Sequence, residues 1–224
     1  MSSERTTAIV LRRTNYGEAD RILRLLTPLG QRNVIARGVR KEKSKLAGAI
    51  ELFAISDIVI MTGKGDLGIL TSARMQQFYR HILEDYDRLK FAYEVINLVA
   101  KASESIDEPE WYDVLAEVYA GLDSMAIPLQ LTQVWFYLHY AELTGYGLNL
   151  ERDVTGAQLD AQRTYMYDVN EKGLRPAEQG DIHAGHIKLL RLIGAKPIMT
   201  VAQVGGVEEV LSDCWLIARQ HAAV

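Results

Sequence analysis

Residues 6–37 read TTAIVLRRTNYGEADRILRLLTPLGQRNVIAR, and the spacing of turn residues within them decides the fold. Residues 6–14 are rich in β-branched and aliphatic side chains, after which Asn15, Tyr16, Gly17 and Glu18 supply turn chemistry. Residues 20–26 resume an apolar run that carries Arg21 and Arg24. Thr27, Pro28, Leu29 and Gly30 follow, with Pro fixing φ and Gly permitting a tight reversal. Residues 31–37 make a third strand. After Gly38 a polar, basic stretch covers 39–46, then 50–61 reads as a long fourth strand and 67–74, or on to 79, as a fifth. Five short strands with an interruption between the third and fourth predict a small closed barrel of the OB type.

Beyond residue 80 the period changes from two to 3.6. Leu89, Ala92, Val95, Ile96, Val99 and Ala102 recur at helical spacing between Asp85 and Ile106, and Pro109 ends that pattern. Further helices are predicted over 111–122, from Pro128 through Leu143, along Ile182, His186, Leu189, Leu190 and Ile193, and along Val207, Val210, Leu211, Cys214, Ile217 and Ala218. The aromatic residues Trp111, Tyr112, Trp135, Phe136, Tyr137 and Tyr140 are expected in a core. Between Gly145 and Gly180 the periodicity is lost, and Tyr165, Met166 and Tyr167 with the segment 172–176 suggest a small hairpin insertion. The fold class expected is therefore α+β: an OB barrel over 1–80, then an all-α domain over 81–224 with an irregular insertion at about 145–180.

Charge divides the chain at the same place. Residues 1–80 hold 14 Lys and Arg against 7 Asp and Glu, whereas 81–224 hold 11 against 22. Arg12, Arg13, Arg21, Arg24, Arg32, Arg37, Arg40, Lys41, Lys43 and Lys45 fall within 34 residues, five of them in the segment 37–45. Clustered cations with few acids are the electrostatic footprint of a nucleic-acid surface, whereas scattered ones are ordinarily solvated strand faces. Aromatics are few among them. Phosphate contact rather than stacking should dominate, so single and double strands could both bind.

Other chemistries find little support. Gly63, Gly65 and Gly68 match the G-x-G-x-x-G spacing, but Ile69, Leu70 and Thr71 continue as a strand where a dinucleotide site needs a helix N-terminus. A glycine-rich hairpin turn accounts for them. A phosphate loop fails too, because Gly65 follows Lys64 and Ile58 stands in place of the leading glycine. Cys214, alone of its kind, excludes a disulfide framework and falls on an apolar helical stripe as a core thiol. His183 and His186 lack an obvious third metal ligand. With no signal-like start and no long apolar span, a soluble, cytoplasmic protein without cofactor, metal or catalytic residues is expected.

The stretch 8–23, the Leu26–Gly30 turn, the 36–41 segment and Ser44, Lys45 and Leu46 together look like the N-terminal barrel of the bacterial RecO family of recombination mediators. Residues 143–150, LTGYGLNL, resemble that family's entry into its C-terminal insertion. The resemblance implies a DNA-repair protein that binds single- and double-stranded DNA, anneals complementary strands and associates with the nucleoid. It further implies work with RecR to load RecA onto DNA coated with single-strand-binding protein. It implies as well that the acidic, Phe-ending tail of single-strand-binding protein docks on the helical domain, for which Lys188, Arg191 and Lys196 are the available cations. Many members carry two Cys pairs that hold zinc in the insertion. Here the stretches 153–156 and 175–178 contain no cysteine, so the hairpin must hold by packing of Tyr165, Tyr167 and Leu174. An OB-fold RNA-binding protein, or an adaptor whose basic barrel meets an acidic protein, stays open on the residues alone.

Overall fold

The computed structural model describes residues 2–62, 65, 67–106 and 108–222. Strands β1 (Ser2–Tyr16), β2 (Asp20–Thr27), β3 (Gly30–Ala36), β4 (Ala54–Thr62) and β5 (Leu67–Phe78) form a closed barrel in the order β1-β2-β3-β5-β4, with β4 returning to β1. The β3–β5 junction is parallel, through Asn33–Leu67, Val34–Gly68 and Ile35–Ile69, and the other pairs are antiparallel. This is the five-stranded OB topology that the turn spacing predicted.

Gly68 explains part of the glycine pattern. A Cβ at this position would stand 2.6 Å from Ile60 Cγ2 and 3.4 Å from Val34 Cγ1. The glycine is needed where three strands close the barrel, not where a phosphate approaches. The turn expected over Gly63, Lys64 and Asp66 lies outside the described residues.

The barrel core takes Ala8 and Val10 from β1, Leu23 and Leu25 from β2, Val34 and Ala36 from β3, and Ile58, Ile60 and Leu70 from β4 and β5. Val39 and Ile50, from the β3–β4 connection, complete it. Ile50 therefore reaches the core without belonging to a strand: a 3-10 turn at Ala47–Ala49 precedes it, and β4 begins only at Ala54. Phe53, with φ +59°, makes the corner. Its ring is buried edge-on to Tyr93 and Tyr119, with centroids 5.3 and 5.7 Å away, which holds a backbone conformation that a bulky residue rarely adopts.

Helices α1 (Tyr86–Ser105) and α2 (Glu110–Asp123) follow the barrel and share its compact unit, Met1–Asp123. The Asp85 carboxylate caps α1 by accepting the Arg88 N–H at 2.9 Å. Gln31 Nε2 on β3 donates to Ala100 O at 3.0 Å and to Ser103 Oγ at 2.6 Å, seating the end of α1 against the barrel wall. Arg88, buried, donates to Leu122 O at 2.9 Å and satisfies a carbonyl in the last turn of α2. The compact unit thus extends past residue 80, where charge and period change.

The second unit, Ser124–Val224, contains α3 (Leu129–Leu143), a hairpin of β6 (Tyr165–Asp168) and β7 (Gly173–Pro176), α4 (Ala184–Ala195), the one-turn α5 (Ile198–Val201) and α6 (Glu208–Ala222). Helix α5 is too short for its periodicity to be visible in sequence. Trp111 in the first unit and Trp135, Phe136 and Tyr137 in the second are buried, while Tyr112 and Tyr140 are half-buried, so the aromatic group serves two cores. Cys214 is buried on α6, and burial pushes its thiol up to about 12. Among the described residues no helix is long and apolar enough to cross a membrane.

Candidate nucleic-acid interface

The barrel sorts the ten predicted cations into two groups. Four are tied down. Arg13 stands opposite the core residue Leu23 at one end of the barrel and meets Glu51 Oε2 at 2.6 Å. Arg32, opposite Leu25, faces Glu4 at 3.5 Å toward the other end, and Glu4 itself stands opposite the core residue Ile60. Both pairs are partly exposed. Arg24 pairs with Glu104 on α1, and Arg21 Nε donates to Asn15 Oδ1 at 3.1 Å across the β1–β2 ladder.

The remaining six, Arg12, Arg37, Arg40, Lys41, Lys43 and Lys45, are exposed and have no carboxylate partner among the described residues. Arg12 owes its position to a β-bulge between Val10 and Arg12. The register shift sets it opposite Arg24, off the core face that Ala8 and Val10 share.

The other five lie on the β3–β4 connection, which is a built structure. Val39 is 2% exposed and enters the barrel core, and Leu46 packs on the same core from the far end. Arg40, Lys41, Lys43 and Lys45 between these apolar anchors, and Arg37 just before the first, are exposed, with Glu42 the one acid interspersed. Arg40 N donates to Ala19 O at 2.9 Å and Arg40 Nη1 to Gly17 O at 3.2 Å, while Gly38 N donates to Asp20 Oδ1 at 2.7 Å. Lys41 N to Gly38 O and Ser44 N to Lys41 O form successive turns inside the loop. A cationic ridge is thereby bonded to the β1–β2 turn. Such a ridge offers fixed, solvated positive charge to a polyanion at small entropic cost.

Two cations escaped sequence reasoning. Arg5 on β1 and Arg74 on β5 flank Asp57 on the outer face, around a groove of about 210 Å³ that Ser72 and Val59 also line. Only the strand register, Arg5–Val59 and Asp57–Arg74, brings them together.

In the second unit, Lys188 and Arg191 lie one turn apart on α4 and both line a small hollow of about 60 Å³ against Leu159, Asp160 and Ala161. Arg191 donates from Nε and Nη2 to Leu150 O, at 3.0 and 2.6 Å. Leu150 also lines a groove of about 240 Å³ with Leu138, Leu148, Leu190 and Gly194, to which His139 and Glu142 contribute polar groups. Lys196 stands apart, beyond the end of α4, where its carbonyl accepts the Trp135 indole N–H at 2.9 Å.

The insertion is held without any cysteine. Asp153 Oδ1 accepts the Thr155 hydroxyl at 2.6 Å, Thr155 N at 2.8 Å and Ala157 N at 3.2 Å, and Val154 N reaches across to Leu174 O at 2.9 Å. The Thr155 hydroxyl bond, with the backbone N–H groups behind it, holds the Asp153 carboxyl below the usual carboxylate range. Tyr165 and Leu174 are fully buried, as the packing expectation required, and the Tyr165 hydroxyl accepts Asp160 N at 2.7 Å. Tyr167 is half-buried instead, with its hydroxyl 3.0 Å from His221 Nδ1. His183 is the N-cap of α4 and forms a reciprocal capping box with His186, whose Nε2 lies 3.1 Å from Asp213 Oδ2. The two histidines are structural here.

Comparison with known proteins places the chain. The family model described as recombination protein O, N terminal, matches residues 1–79, and the one described as recombination protein O, C terminal, matches residues 83–221. A DNA repair protein RecO of Roseiflexus sp. is 32% identical over 202 residues, 87% of this chain and 71% of that protein. The DNA repair protein RecO of Dehalococcoides mccartyi is 30% identical over 225 residues, covering 97% and 88% respectively. That of Synechococcus elongatus is 37% identical over 142 residues, 61% of this chain and 53% of its own length. With both halves matched and the barrel topology in agreement, the chain belongs to the RecO family of DNA repair and recombination proteins.

Proposed function

We propose that the chain is a recombination mediator that holds DNA on the ridge formed by Arg37, Arg40, Lys41, Lys43 and Lys45, with exposed Arg12 on β1 as a further phosphate contact. The supporting observation is the ridge itself: five exposed cations without carboxylate partners among the described residues, four of them between the anchors Val39 and Leu46 and Arg37 just before, on a connection bonded to the β1–β2 turn. Cations so placed contact the phosphates of two strands at once and reduce their mutual repulsion, which lets complementary bases meet. Annealing needs no covalent step. Arg13, Arg21, Arg24 and Arg32 already have side-chain partners and contribute less, since DNA must first displace those partners.

The acidic remainder of the chain is read as protein-facing. The acidic, Phe-ending tail of single-strand-binding protein fits the groove of Leu138, Leu148, Leu150 and Leu190, with Arg191 and Lys188 as its cationic edge and Lys196 as an outlying contact. Combined Lys188→Ala, Arg191→Ala and Lys196→Ala should abolish binding of a tail peptide. Unchanged affinity would remove this assignment. RecR would join the same complex, and the exposed strand would pass to RecA.

The experiment that tests the ridge is annealing of complementary strands coated with single-strand-binding protein. The variant Arg37→Glu, Arg40→Glu, Lys41→Glu should lose annealing while retaining its fold. Unimpaired annealing would rule the ridge out, and preferential competition by RNA or by an acidic protein would favour the corresponding rival.

A further inference from the structure

Tyr16 ends β1 at the turn to which the cationic ridge is bonded, and it is 55% exposed. Its hydroxyl has no hydrogen-bond partner among the described residues. Two other aromatics of the barrel unit, Phe53 and Tyr79, are buried against Tyr119. Among the described residues no hydrogen bond or ring contact engages the Tyr16 side chain.

The backbone under the ring is fixed. Tyr16 pairs with Asp20 across the ladder, and Gly17 turns the chain at φ +56°. Three hydrogen bonds then lock this turn to the ridge: Arg40 Nη1 to Gly17 O, Arg40 N to Ala19 O, and Gly38 N to Asp20 Oδ1. A guanidinium thus sits on the carbonyl of the residue next to the ring. The carboxylate of Asp20 is engaged by that bond, and Glu18 is the acid left at the turn.

We propose that Tyr16 is the stacking platform for one unpaired base of a single DNA strand whose phosphates follow the ridge. The proposal rests on the reading of the ridge as a DNA contact and adds what the ridge cannot supply. Phosphate contacts are blind to strandedness, because duplex and single strand present the same charged group. An aromatic face requires a base that has left its own stack, which a single strand offers and a duplex does not. Holding the backbone beneath the ring in place beforehand reduces the ordering cost of capture. Tyr16 therefore biases a strand-indifferent surface toward single strands.

The test is equilibrium binding at one fixed salt concentration, with a single-stranded oligonucleotide and a duplex of equal length. Tyr16→Ala should weaken single-strand binding by about tenfold, the scale of one lost base stack, and leave duplex binding unchanged. Tyr16→Phe should bind as the unaltered protein does. A 2-aminopurine base within the single strand should be quenched on binding by the unaltered protein and not by Tyr16→Ala. An unchanged melting temperature for Tyr16→Ala would confirm that the fold persists. Equal losses on both substrates, or no loss on either, overturn the proposal while the ridge stands. If the unaltered protein binds neither substrate, the ridge reading falls and the proposal falls with it.

Discussion

Phe53 carries the conformational cost of the corner between the β3–β4 connection and β4. Its φ of +59° costs on the order of 1–3 kcal/mol for a residue of this size, and the edge-on contacts with Tyr93 and Tyr119 offset it. Phe53→Ala should destabilise the barrel unit by about 3–5 kcal/mol, because it removes a fully buried ring and leaves the strain in place. Phe53→Gly loses the same ring but relieves the backbone, so chemical denaturation should find it no less stable than Phe53→Ala; a clearly less stable glycine variant would show that the strain is not there. Cys214 makes a second residue-scale case. Its buried thiol, raised to about 12, should resist alkylation at pH 8 in the folded chain and react at once in denaturant.

The insertion hairpin is an element held by titratable groups, and its stability should depend on pH in two steps. Burial, the largest influence on His221, keeps its folded proton affinity below that of the unfolded chain, where the value is about 6.5. Protons therefore favour the unfolded insertion as pH falls through that region, and the His221 link between Tyr167 and the Tyr146 carbonyl weakens first. Asp153 and Asp168 follow. The Glu171 backbone N–H and then the Arg175 guanidinium hold Asp168 low, as the Thr155 hydroxyl holds Asp153, so both contribute stability above pH ~4 that is lost below it. Amide exchange at Val154, Tyr165 and Ile182, corrected for intrinsic rates, should accelerate in these two windows. Uniform protection from pH 7 to pH 3 would contradict it. The hairpin strands themselves were legible from Tyr165, Tyr167 and the Gly173 region, because alternation and turn residues are local. The β-bulge beside Arg12 was not, since a register shift depends on the partner strand, and neither was the split of the ten cations into those with a side-chain partner and those without one among the described residues. Glu104 is 80 positions from Arg24, and no window of sequence joins them.

At the scale of the whole molecule, the charge split of the chain becomes a prediction about salt. The first 80 residues carry 14 cations, but the fold ties down four of the ten clustered ones and leaves six exposed, with no carboxylate partner among the described residues. A single strand that neutralises all six with its phosphates should show log affinity falling with log salt at a slope near −4, using about −0.7 per contact. Had all ten contributed, the slope would approach −7. Replacing Arg37, Arg40 and Lys41 by Ala should reduce the slope by about 2, whereas replacing Arg13 and Arg32 should leave the slope almost unchanged and lower the melting temperature of the barrel. Fluorescence anisotropy between 50 and 300 mM salt separates these outcomes. A slope that responds to Arg13 and Arg32 as strongly as to the ridge would mean that DNA breaks the Arg13–Glu51 and Arg32–Glu4 ion pairs, and that the strand lies along those strand ends rather than on the ridge.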